Sequence, residues 1–526
     1  MKKTFALITA VCLLLMLFTG CGSTAASAAS EETTAEQAAA DDTSDNRPGE
    51  PPEGFTPDGT PPGDLPEGFD GNFPGGPGGN RPDGTPPGDP PEGFGGKDGK
   101  GGTPPGGFGG GKPGGPGGSS SADIEYSGAV EITSADERSG QTYESTASDQ
   151  SALLISTDAE VTVTDPTVTK TGDSDGGDNC NFYGLNAAVL VKGGTTTTIT
   201  GGTVTSDADG ANGVFCYGGN GGRNGADGDG TTLYISDTTI VTTGDGSGGV
   251  MTTGGGVTCA NNLDVTTSGR SSAAIRTDRG GGTVAVDGGT YTSNGPGSPA
   301  IYSTADIIVS NATLTSNLSE GVCIEGLNSI TLTDCDLTAN NTQRNGNATF
   351  LDTIMIYQSM SGDADSGTGS FTMTGGSLTS KSGHVFHVTN TNAVITLSGV
   401  NIVNEDAENI LLSVCADGWS GAGNVAELRA VGQTLEGTIL VGSDSSLTLE
   451  LTEGSSFTGA FSGNISNAKG ETVSAEIGSV SVTLDASSTW TLTADTYITG
   501  FTGDAANVIS NGYTLYVNGA ALPGTR

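Results

Sequence analysis

Basic residues are scarce in this chain. Its 526 residues carry 19 Lys and Arg against 60 Asp and Glu, a formal net charge of −41. A nucleic-acid-binding face needs clustered Lys and Arg to displace counterions, so that class is excluded. Leu, Glu and Lys, the strong helix formers, are sparse beside Gly, Ser, Thr and Asp, which excludes a helical protein. Aromatics are 5% and there are two histidines, His384 and His387. The eight cysteines include no Cys-x-x-Cys pair, so zinc spacing is missing. One apolar run, Thr4 to Phe18, is too short for a stable membrane span, and no other stretch is apolar enough to be one.

What is abundant is Gly (89) and, in one place, Pro: 18 of 22 prolines fall between Pro48 and Pro116. The N-terminus reads as an address. Met1-Lys2-Lys3 precedes the apolar run, and Phe18-Thr19-Gly20-Cys21 resembles a bacterial lipobox. The resemblance implies a signal peptide over 1–20, lipid on Cys21, and anchoring on the outer face of a bacterial membrane. Residues 21–120 then read as a disordered tether, acidic first and Pro/Gly-rich after. Pro57-Asp58-Gly59-Thr60-Pro61-Pro62-Gly63-Asp64 returns 25 residues later from Pro82, and Pro-Glu-Gly-Phe ends at Phe55, Phe69 and Phe94. Such a segment buries no core and spans about 55 Å as a flexible chain. It acts as a spacer.

The remaining 406 residues carry 44 acidic and 12 basic side chains, and a phrase recurs in them. Ile-Thr-Gly-Gly-Thr-Val-Thr-Ser begins at Ile199, with relatives at Val286, Val309, Leu332, Met373 and Leu397 and weaker copies at Val163, Ile235 and Cys259. The shortest steps are 23–24 residues, and longer steps hold Gly/Asp/Ser-rich insertions. An aliphatic column follows the phrase: Val189, Val214, Val250, Ile275, Ile301, Val322, Ile354, Val385, Leu411. A fixed period with β-branched residues, turn residues and no helical segment predicts an all-β, single-stranded, right-handed parallel β-helix. Nine or more rungs at ~4.8 Å give at least about 43 Å. A β-propeller, with its longer four-strand unit, is the alternative. Residues 121–422 are assigned to the repeats and 423–526 to C-terminal rungs and a cap, where Phe457 and Trp490 each follow an alternating segment at one offset.

Ser174–Asn179, Gly269–Arg279, Ser298–Ser303 and Glu320–Glu325 are similar to segments of right-handed β-helix lipoproteins of anaerobic Gram-positive bacteria. Those proteins are described as carbohydrate-binding-domain or adhesin-like. The resemblance covers most of 121–526 and implies the fold and a cell-surface location.

Three sets of residues are candidates for function. Asp-x-Asp followed by a small residue occurs at Asp173/Asp175, Asp207/Asp209, Asp227/Asp229 and Asp363/Asp365, with Asp178 and Asn179 beside the first. Oxygen-rich turning backbone suits structural Ca2+, and solvated Asp/Gly turns are the plain alternative. The residue after each core aliphatic should point outward. That column (Leu190, Phe215, Met251, Arg276, Tyr302, Cys323, Met355, Phe386, Leu412) is unusually apolar. Phe215, Tyr217, Arg276 and Tyr302 then form a stripe for a sugar ring, unless an insertion covers it. Arg276, Asp278 and Arg279 are the one cluster with the composition of a lyase site. The Gly-His-Gly and paired Asp motifs of polygalacturonases are missing. His384 and His387 have half a metal site's spacing, but His387 shares the face of Val385 and reads as packed or hydrogen-bonded. Cys180, Cys216, Cys259, Cys323, Cys335 and Cys415 read mostly as free, buried thiols. The expected function is non-catalytic binding of a polysaccharide or surface. A calcium-dependent lyase on acidic glycans and a purely structural coat component are the alternatives.

Overall fold

A computed structural model describes residues 124–221, 227–344, 346–359, 361–419 and 424–526. The tether and Cys21 lie outside them. The described body is a right-handed parallel β-helix. Thirteen strands stack in one sheet, here the A face, about 58 Å long at ~4.8 Å per strand. The B face is built mostly from two strands per rung on either side of a short bend, fused into one strand at Gly256–Thr267 and Gly282–Ser293, and in the C-terminal rungs the second strands form a sheet of their own. The rung from Ser151 shows the order: Ser151–Ser156 on A, then Val161–Thr164 and Thr167–Lys170 on B. Pairing runs parallel between successive rungs, which excludes the four-stranded blades of a propeller.

The recurring phrase is the B-face bend. Val163, Ile199, Ile235, Ala260, Val286, Val309, Leu332, Met373 and Leu397 stack in register. All are buried in one continuous core. One weak copy was misplaced by a residue. Ala260, not Cys259, pairs with Ile235 and Val286, because the bend follows Asn261. Ala430, Leu451 and Leu484 extend this column through the C-terminal region without the phrase.

Each bend turns on a residue with positive φ at the same place, and where that residue is Gly201, Gly288 or Gly375 the glycine after it has positive φ too. Asp165, Gly201, Asp237, Asn262, Gly288, Asn311, Asp334 and Gly375 all lie between 48° and 72°. Only Gly, Asn and Asp adopt that region cheaply, which explains the phrase's composition. Gly202 is held by space as well. Its φ is +75°, and a Cβ there would lie 2.2 Å from the Pro166 carbonyl oxygen. Gly202→Ala is therefore expected to cost about 1–3 kcal/mol, read as a lower denaturation midpoint.

On the A face, Val189 through Ile354 form the predicted core column. The column then continues through Phe386, Leu412, Ile439 and Phe461 rather than Val385 and Leu411. Phe386 and Leu412 thus face the core, and His387 pairs with Met355 on the outer side. The sequence reading of His387 as sharing the core face is corrected accordingly.

Among the described residues, one short α-helix breaks the all-β expectation. Helix α1, Asp178–Tyr183, sits in an insertion and ends at Gly184, whose φ of 76° reverses the chain. Phe182 and Tyr183 pack with Leu154, Leu190, Phe215, Tyr217 and Met251 on the outer side of the A face, joined by Ile124 and Tyr126. At the C-terminal end, Leu435, Phe457, Trp490 and Val508 stack as a core column. A final antiparallel pair, Leu515–Val517 with Ala520–Ala521, ends the parallel order. Antiparallel returns blunt an otherwise open edge. Cys180, Cys216, Cys323, Cys335 and Cys415 are free and buried, and Cys259 is buried too.

Candidate binding groove

Insertions enter at both corners of the A face and leave a groove of about 740 Å³ between them. Its floor is the outward column predicted from sequence: Arg276, Tyr302, Cys323 and Met355. One wall holds Asp178 and Asn181 of α1 with the turns at Asp209 and Asp245. The other holds Tyr357, Ser361, Asp363 and Trp419.

The predicted stripe is therefore divided. Phe215 and Tyr217 point outward but are 0% and 2% exposed, because α1 and the Ile124–Tyr126 segment lie over them. They form a satellite core. Arg276 and Tyr302 stay in the open groove, with the guanidinium carbon 5.7 Å from the Tyr302 ring centre.

The charges are fixed by pairing. Arg276 Nη2 meets Asp278 Oδ2 at 2.7 Å, while Nη1 donates to the Ser271 carbonyl at 2.9 Å and Asn181 Oδ1 at 3.3 Å. Burial lifts the Asp278 carboxyl to about 6, helped by Asp363 and opposed by Arg276. Arg279 pairs with Asp363 at 2.6 Å and lies 4.3 Å over the Phe182 ring. The predicted cluster Arg276, Asp278 and Arg279 is thus one ion-pair network that ties α1 and the 361–366 insertion to the floor.

Glu325, which the sequence reading passed over, organises the far end. Its carboxylate is 1% exposed. It accepts from Tyr302 Oη at 2.6 Å, Tyr357 Oη at 3.1 Å and Ser361 Oγ at 3.4 Å, and also from Ser359 Oγ. Tyr357 packs on Trp419 with centroids 4.9 Å apart. Two tyrosine rings are thereby locked beside a tryptophan. No pattern around Glu325, Tyr357 or Trp419 marks them in sequence, since they come from different rungs and an insertion.

The predicted calcium ligands are spread along the corners. Asp173 Oδ1 accepts the Asp209 backbone N–H at 2.9 Å, Asp209 Oδ1 that of Asp245 at 2.8 Å, and Asp245 Oδ1 that of Arg270 at 2.7 Å. Each carboxylate buttresses the next rung. Asp207 accepts the Thr243 hydroxyl, and Asp229 Oδ1 accepts the Thr231 N–H and hydroxyl at 2.9 and 2.6 Å. The Asp227 carbonyl accepts from Asn220, while the Asp175 and Asp178 residues are exposed. Among the described residues, no group of three or more His, Cys, Asp or Glu side chains is placed to hold a metal ion. Among them too, no helix is long and apolar enough to cross a membrane.

His384 and His387 do meet, at Ser413. Each Nδ1 lies 2.7 Å from Ser413 Oγ. Both are hydrogen-bonded, as the spacing without a third ligand implied. No protein family, curated protein or solved structure matches the chain.

Proposed function

We propose that the chain is a lipid-anchored cell-surface protein that binds polysaccharide in the A-face groove without cleaving its glycosidic bonds. The observation that carries this reading is the open groove of about 740 Å³ with Tyr302, Tyr357 and Trp419 held rigidly at one end. Pre-oriented aromatic rings offer apolar faces to pyranose rings at little entropic cost, and the surrounding carboxylates and hydroxyls accept and donate to sugar hydroxyls. Binding is favoured over a lyase because Arg276, the base that reading needs, is committed to Asp278, Asn181 and a backbone carbonyl. The aspartates bonded across rungs brace neighbouring turns. Calcium, if bound, adds to that role.

The test is a glycan array followed by calorimetry on the whole chain, with and without Ca2+. Trp419→Ala is expected to weaken binding of the retained glycan by about 1–3 kcal/mol, a factor of roughly 5–150. No retention of any glycan sinks the reading. An unsaturated product from polygalacturonate, lost in Arg276→Ala, replaces it with the lyase.

A further inference from the structure

A second cavity, of about 680 Å³, opens beside the 340–351 insertion. Phe350, His384, Ile410 and Leu440 supply its apolar lining, and Asp406 and Asn467 its polar lining. Behind His384 lies a chain of polar groups. The outer column of the A face runs Met355, His387, Ser413 in adjacent rungs. Ser413 Oγ is 2.7 Å from His387 Nδ1, and the His387 Nε2 faces Asp417 Oδ2 at 3.3 Å, off the ideal hydrogen-bond line. Asp417 Oδ1 is itself held by the Thr349 N–H at 2.7 Å and the Thr349 hydroxyl at 2.5 Å. His387, Ser413 and the Asp417 side chain are all 0% exposed.

These contacts fix the protons. Asp417 is anionic and orients the His387 Nε2–H toward itself, which leaves Nδ1 as an acceptor. The Ser413 hydroxyl then donates to His387 Nδ1. His384 donates its own Nδ1–H to the Ser413 oxygen, since that hydroxyl has a single proton. His384 is neutral, because burial pushes it down to about 3. Nucleophile, base and orienting carboxylate are therefore arranged as in acyl-transfer enzymes, where roles rather than sequence order define the set.

We propose that Ser413, His387 and Asp417 form an acyl-transfer site that hydrolyses short-chain carboxylic esters entering from the 680 Å³ cavity. Ser413 Oγ bonds to the acyl carbon as its proton passes to His387 Nδ1. The ester C–O bond breaks, and the alcohol leaves with that proton. Water, deprotonated by His387, then cleaves the acyl-serine to a carboxylic acid and restores the hydroxyl. Phe350 controls entry. Its ring packs on His384 and His387 at 5.3 and 4.9 Å and also lines the cavity. Asn347 lines the groove and Phe350 the cavity, so one insertion borders both. An acyl substituent on a groove-bound glycan suits this placement, a step that rests on the glycan reading, whereas ester hydrolysis itself does not.

The experiment treats the whole chain with a fluorophosphonate and measures intact mass, with p-nitrophenyl acetate hydrolysis in parallel. One phosphonyl adduct on Ser413 is expected, absent in Ser413→Ala. His387→Gln is expected to slow labelling at least 100-fold, and Phe350→Ala to speed it several-fold, each with a cooperative melt that confirms folding. No adduct on either the natural chain or Phe350→Ala overturns the proposal. So does labelling that His387→Gln leaves unchanged. Glycan retention without labelling overturns this site alone, and labelling without retention overturns the groove reading alone.

Discussion

Trp490→Ala is expected to lower stability by about 3–5 kcal/mol, the range for emptying a large aromatic site in a core. Trp490 is 0% exposed. Its ring stacks on Phe457 at 5.9 Å and meets Phe461 edge-on at 5.4 Å. Its Nε1–H donates to the Gly459 carbonyl at 3.1 Å, so truncation also strands a buried acceptor. The position matters as much as the volume. A solenoid's last rungs have neighbours on one side only, and fraying begins there. Hydrogen exchange should accelerate first in Ser456–Gly459 and Thr489–Leu492, ahead of the rungs near Val189. Trp490→Phe keeps the stack and loses only the indole bond, with an expected cost of about 1 kcal/mol. A Trp490→Ala midpoint equal to the natural chain's would show that the C-terminal rungs do not seal the core.

The second large effect is a stability that falls as pH rises. Asp352 is fully buried, and neither of its carboxyl oxygens has a hydrogen-bond partner. Burial raises its pKa well above the ordinary carboxylate value, and Glu320 and Asp417 add to the shift. Glu320, 1% exposed, is raised by burial as well. A carboxyl whose pKa is higher in the folded state holds more protons folded than unfolded. Its contribution is fully present below the unfolded pKa near 4 and is lost as pH climbs through the folded value. Asp278, moved from 3.8 to about 6, alone accounts for about 3 kcal/mol across that window. Asp417 acts in the opposite sense. It is lowered by His387 and Thr349 against burial, so its stabilisation is lost as pH falls through the carboxylate range. Asp352→Asn is expected to melt with the natural chain at pH 4 and above it at pH 8. A variant less stable than the natural chain at pH 8 would show that the Asp352 charge is compensated.

The solenoid was legible because its signal repeats. Nine copies of a bend that admits only Gly, Asn and Asp, followed by an aliphatic column, define rungs even when single copies are weak. Both one-residue errors occurred where the local pattern is degenerate. At Cys259, two consecutive small apolar residues precede the bend, and at Val385 the run Val385-Phe386 offers either residue to the core. The groove was half legible. Arg276 and Tyr302 follow from strand alternation alone. That Phe215 is covered and Tyr302 open depends on where α1 lies, and an insertion's path is not encoded in period or hydropathy. The contacts that close the site join residues 84 and 95 positions apart, Arg279 with Asp363 and Arg276 with Asn181. The Ser413 cluster was hidden for the same reason. His384 and His387 were conspicuous, but Ser413 is one serine among many until the rungs stack.

The B-face bend carries one more implication. From Asp165 to Gly399, its reversal is confined to two residues between successive strands, or lies within one unbroken strand as at Gly256–Thr267 and Gly282–Ser293, while the A-face corners admit anything from a tight turn to the segment containing α1. One edge of the coil is a hinge pin of constant length, and the other two edges are free to vary. Such a scaffold separates durability from recognition. New loops can be grafted at the A-face corners to change what the groove holds, while the stack that supports them is left untouched.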